Sequence, residues 1–200
     1  MKGLLLLVIL GVSDLCLAET ASRTDIRPKH YNEILKNQYE LSTRLEYNSN
    51  GDSFYFNIKE YGALIGFGMS REQADTVMSA IEKYIQWTEK AIKNEVTLKK
   101  QIDTINLPYS FWQVGKGDRH FSDSAVLRMY FFSQSAQTHQ FVFVFPRFKD
   151  IENEYLEYTP NNLFFDYKEA VKFRDALSRS AVKKLLIEAK KQAEIEDGFN

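Results

Sequence analysis

The chain has 200 residues, 44% of them hydrophobic, with 26 Lys and Arg against 27 Asp and Glu and a formal net charge of −1. That length and apolar content are enough for one domain with a sizeable core, which excludes disorder throughout. The balanced charge offers no electropositive excess to displace counterions from a phosphate backbone, so no nucleic-acid partner is expected.

Residues 1–18 have the layout of a cleaved secretory signal: Lys2 is a positive start, Leu4–Val12 is apolar, and Cys16 and Ala18 are small residues before a cut after Ala18. The apolar run is too short to remain as a membrane span, so none is expected after cleavage. Asp14 is unusual so near that run. Two alternatives stand beside this reading: lipidation at Cys16, although Leu15 precedes it where a small residue is wanted, and an uncleaved buried helix. Cys16 is the chain's one cysteine, so cleavage leaves a mature chain with no disulfide and no thiol nucleophile. An exported protein of this size without cross-links is expected in the periplasm or secreted.

Glu19–Pro28 reads as a polar leader, and Pro28–Gln38 as a short helix with Tyr31, Ile34 and Leu35 on one side. Leu41–Tyr47 alternates apolar and polar residues. An Asn-Gly turn at Asn50-Gly51 follows, then Phe54, Phe56 and Ile58 alternate again, which is a hairpin pattern. Leu64–Phe67 is a short strand feeding the best-marked helix, Ser70–Asn94. There Ser70 and Gln73 have capping-box spacing, and Ala74, Val77, Met78, Ile81, Ile85 and Ile92 recur at steps of three and four. At Val96 the period changes to two, predicting a strand over Val96–Ile102, with another at Tyr109–Val114. Gly115–Ser124 is a polar loop. Val126–Phe132 and Gln140–Phe145 are apolar on both faces, as strands covered on both sides would be. Lys149–Pro160 reads as an exposed excursion and Leu163–Phe165 as a last strand. Asp166 and Glu169 repeat the capping spacing and open a terminal helix that breaks at Ser178–Ser180, with Ser180 capping the second piece and Asp197-Gly198 as a stop.

The predicted fold is α+β: an antiparallel, Phe-rich sheet packed by a central helix (about 70–94) and a C-terminal helix (about 167–196), in a single domain over 19–200. At an offset of 96 residues Ser70 matches Asp166, Gln73 matches Glu169, Val77 matches Phe173 and Ile81 matches Leu177. The chain can therefore be read as two β-β-β-α halves, 40–95 and 96–197. Against that, any two capped amphipathic helices look this similar.

Chemistry is sparse. The densest polar cluster is the Gly115–Ser124 loop, where Asp118, His120 and Asp123 have the residue types of a metal or acid–base site. Gly, Asp and Ser between strands are equally the material of a plain connection. Phosphate-loop, Gly-x-Ser-x-Gly and His-Glu-x-x-His patterns are missing, so no cofactor and no resident metal are expected. His30 and His139 read as solvated. Glu152, Glu154 and Glu157, beside Tyr155 and Tyr158, could line a sugar groove but more simply form a solvated loop. Trp87 and Trp112 are the candidate aromatic anchors for a partner. The expected function is an exported, non-catalytic binding or accessory protein that contacts another protein or envelope component. The alternative is a small envelope hydrolase or metal-dependent enzyme using Asp118, His120 and Asp123.

Overall fold

A computed structural model describes residues 20–123 and 125–197. The export signal expected over 1–18 and Gly198 of the expected stop lie outside these residues.

The first half of the chain runs β1 (Thr20–Arg23), β2 (Lys29–Asn32), β3 (Asn37–Glu40), β4 (Ser42–Asn48), β5 (Ser53–Glu60), β6 (Ala63–Ser70) and helix α1 (Arg71–Lys93). The second runs β7 (Lys99–Leu107), β8 (Tyr109–Val114), β9 (Arg119–Ser122), β10 (Ala125–Ser133), β11 (His139–Val144), β12 (Phe148–Lys149), β13 (Glu157–Tyr158), β14 (Leu163–Phe165), α2 (Tyr167–Leu177) and α3 (Arg179–Asp197). The fold is α+β, with two six-stranded antiparallel sheets and a two-stranded ribbon, β12-β13. The first sheet has the order β1-β4-β5-β6-β8-β9 and the second β7-β10-β11-β14-β2-β3. Both sheets follow one plan: a lead-in strand, three meandering strands that end in a helix, then a two-stranded hairpin from the other half. Hairpin β8-β9 completes the first sheet and hairpin β2-β3 the second.

Local chemistry explains the helix starts. Ser70 Oγ accepts from Gln73 N–H at 3.3 Å, and Gln73 Oε1 accepts from Ser70 N–H at 2.8 Å, closing the capping box at α1. Asp166 accepts from Glu169 N–H at 3.0 Å to open α2. There the box stays half-made, because the Glu169 carboxylate instead accepts from Arg27 N–H at 2.7 Å. The second cap thus ties down the segment after β1. Between α2 and α3, Ser178 rather than Ser180 caps the new helix, accepting from Ala181 N–H at 3.2 Å.

The core is one cluster between the sheets. Phe54, Phe56 and Ile58 of β5 and Phe67 of β6 face inward from one sheet, and Phe131, Phe141 and Phe143 from the other, each at most 1% exposed. Phe67 meets Phe143 at a ring-centre distance of 6.3 Å, and Phe173 of α2 meets Phe56 at 5.1 Å. Each such ring contributes about 1.5–3 kcal/mol on burial, so the phenylalanines dominate the apolar stabilisation. The buried stripe of α1 is Ala74, Val77, Ile81, Tyr84, Thr88 and Ala91. Ile92, expected on that stripe, is exposed. Helix α3 lies along β1.

Several expectations are corrected. Over its described residues, 20–28, the expected 19–28 leader is not loose: β1 pairs with β4, and Ile26 is fully buried. Residues 28–38 form hairpin β2-β3 instead of a helix. The apolar spacing of Ile34 and Leu35 belongs to an exposed turn, whose backbone N–H groups donate to Asn32 Oδ1 at 3.0 and 2.9 Å. The strand after α1 starts at Lys99, not Val96, and runs to Leu107. Strand β10 buries one face only, Ala125, Leu127, Met129 and Phe131, while Val126 and Arg128 are exposed. The 149–160 excursion is exposed over 151–157, as expected, but it is anchored near its ends, where Asp150 and Pro160 are buried. His30 and His139 are 1% and 5% exposed, not solvated.

Candidate functional site

The outer face of the first sheet carries what the inner face does not use. Register sets its rows: Arg44, Asn57, Gly66, Phe111 and Phe121 lie opposite one another across five strands. One row along, Glu46, Tyr55, Gly68 and Tyr109 align, and on the other side Ser42, Lys59, Leu64, Gln113 and Arg119. Strand β6 is therefore bare at two successive outward positions, Gly66 and Gly68. A Cβ at Gly66 would sit 2.6 Å from Asn57 Oδ1 and against the Phe111 ring, so only glycine lets that ring lie across the strand. A groove of about 1020 Å3 lies on this face, walled by β4 and β5 on one side and β8 and β9 on the other.

Aromatic rings and cations line it. Tyr55 meets Tyr109 edge-on at 6.4 Å, and Tyr109 and Phe111 both touch Phe121, at 5.6 and 6.4 Å. The Arg119 guanidinium sits 4.4 Å over the Phe111 ring. Burial pushes the Tyr109 hydroxyl above its usual pKa, against an opposing pull from Arg119, so it stays a protonated donor. Arg27, Arg44, Lys59 and Arg119 are the lining cations and Glu46 the one lining carboxylate. Glu46 pairs with Arg44 at 2.8 Å, whereas Arg27, Lys59 and Arg119 make no salt bridge among the described residues.

The residues singled out by sequence are placed otherwise. Asp118 and Asp123 are exposed at the two ends of β9 and make no hydrogen bond with His120. His120 Nδ1 is instead 3.0 Å from Asp150 Oδ2, thirty residues on. Asp150 also accepts from the N–H groups of Phe121, Glu152 and Asn153 at 3.3, 2.9 and 2.8 Å. Burial pushes this carboxyl up, but those hydrogen bonds outweigh burial and hold it below its ordinary value. The His120 ring stacks on Trp112 at 5.2 Å, and Trp112 on Tyr158 at 6.3 Å. Tyr158 is pushed up to about 12 by burial and by nearby Glu60, to which Asn161 Nδ2 also donates. Trp112 is 4% exposed. The whole assembly fastens the 146–162 excursion to β8 and β9. It holds no hydroxyl nucleophile within hydrogen-bond reach of His120 among the described residues.

His139 Nδ1 is 2.8 Å from Ser133 Oγ, but among the described residues no carboxylate orients the imidazole and its buried Nε2 has no partner. Burial lowers its pKa. Ser133 Oγ also accepts from Leu98 N–H at 3.1 Å, which makes the pair a clamp on the entry to β7. Among the described residues no three of His, Cys, Asp and Glu gather closely enough to hold a metal ion. Trp87 is half-buried, packed on Phe131 at 6.0 Å and flanked by Lys83 and Lys100, with Nζ atoms 5.1 and 5.0 Å from its ring. The hollow beside it is about 220 Å3, much smaller than the groove.

Sequence reasoning missed the groove because its walls come from five strands and the segment after β1. One local signal existed: two glycines two residues apart in a strand leave one face bare. No family model, curated protein or solved structure matches this chain.

Proposed function

We propose that the chain is an exported, non-catalytic binding protein whose ligand seat is the groove on the outer face of the first sheet. The observation that carries the reading is a contrast. Histidine–carboxylate and histidine–hydroxyl pairs elsewhere are used up in fastening loops, whereas the groove presents cations without salt bridges beside tyrosine rings, over a strand bare at two outward positions. Aromatic walls with a few convergent polar groups are the usual make-up of a ligand pocket. Export rests on the pattern of residues 1–18 alone.

Two measurements test this. Mass spectrometry of the protein recovered from outside the cytoplasm is expected to find a chain starting at Glu19, and an intact Met1 would overturn export. Thermal-shift screening of charged and neutral small molecules is expected to give ligands whose effect disappears in Tyr109→Ala and persists in Trp87→Ala. The reverse pattern would move the seat to the hollow beside Trp87.

A further inference from the structure

We infer that the groove takes an acidic glycan, a chain of sugar rings bearing carboxylates; this rests on the groove being the ligand seat. On a chain of net charge −1, this one face gathers four cations around a single carboxylate that Arg44 already engages. Arg27, Lys59 and Arg119 make no salt bridge among the described residues, so an anion can meet them without first breaking an ion pair.

Lys59 and Arg119 share a row three strand steps apart, which at the usual strand separation is about 14 Å. That is the separation of their backbones, and an elongated anion with repeated charges can meet both cations with each side chain kept near its own strand.

Tyr55 and Tyr109 offer ring surface for the apolar C–H face of a pyranose, and the Asn57 amide and Ser42 hydroxyl suit its hydroxyl edge. Guanidinium forks match carboxylates two bonds at a time.

The same features disfavour other polyanions. A nucleic-acid strand wants a run of open ring faces for its bases, but Phe111 is 6% exposed and capped by Arg119. An acidic peptide binds best at a sheet edge, where backbone N–H and C=O groups are free. The groove lies on the face of β5 and β6, whose backbone groups are paired on both sides.

Fluorescence titration of the full chain with an oligogalacturonate tests the inference, beside a neutral glucose oligomer and an oligothymidylate as comparators. The oligogalacturonate is expected to bind and the comparators not to. Arg119→Gln and Lys59→Gln are each expected to weaken binding about tenfold, the loss of one charge-assisted contact. Lys100→Gln, on the second sheet, is expected to change nothing, and unchanged melting temperatures would show that the variants fold. Absence of oligogalacturonate binding, or equal binding by oligothymidylate, overturns the glycan class. If a comparator binds instead and Arg119→Gln abolishes that binding, the class falls while the groove stands as the seat. If oligogalacturonate binds equally well to Arg119→Gln and Lys59→Gln, the seat itself is wrong.

Discussion

Asp150 shows how one side chain can be both buried and ionised, since three backbone N–H groups and His120 converge on it. Its folded-state pKa lies below the ordinary value of 3.8, so its contribution to stability is complete above that pH and is lost as the pH falls through the folded value. Asp150→Asn is therefore expected to flatten the acid limb. The drop in urea midpoint between about pH 5 and about pH 3 should be smaller than in the unsubstituted protein, and an equal drop would remove Asp150 from the account. Gly66 gives the opposite lesson, a position defined by what is missing. Gly66→Ala should push the Phe111 ring aside and cost about 1–3 kcal/mol of unfolding free energy, read from denaturant melts. The role of Asp150 was not legible in sequence, and that of Gly66 showed only as its two-residue spacing from Gly68. Asp118 and Asp123 drew attention as neighbours of His120 in the chain, yet the carboxylate that reaches it arrives from a later loop, and no spacing rule links positions 120 and 150.

Helix α1 was legible because its cap and apolar stripe are local. The Ser70–Gln73 box forms as its spacing predicts, and Tyr84, at the centre of the stripe, is fully buried. The Tyr84 hydroxyl donates to the His139 carbonyl at 2.9 Å, joining the helix to the start of β11. Tyr84→Phe keeps the ring and removes that bond. Urea unfolding should show a loss of about 0.5–1.5 kcal/mol, and no loss would mean that the carbonyl is satisfied without it. The hairpin β2-β3 was illegible for the converse reason. Its apolar spacing resembles a helix, and what makes it a hairpin is pairing with β14, more than 120 residues away in the chain. Strand β10 was misjudged in a related way. Its outward Val126 and Tyr130 look like core residues in sequence, but only the Leu127–Met129–Phe131 side meets the other sheet and α1.

At the scale of the molecule the two halves are interlocked, because each sheet needs a hairpin made by the other half. The 96-residue offset aligns the two helix starts but carries no trace of this exchange, since the β6–β8 and β14–β2 pairings leave no mark on local pattern. Residues 20–94 and 95–197 expressed apart should each fail to fold, lacking two strands of a sheet. Mixed, they should recover dispersed amide resonances; a folded spectrum from either piece alone would refute the interlock. The contact between α3 and β1 bears on how the molecule responds to load. β1 forms an outermost strand, hydrogen-bonded to β4 alone, and the last helix leans on it. Tension applied at Thr20 is therefore expected to load the β1–β4 ladder, from Thr20 opposite Asn48, before it reaches the phenylalanine core.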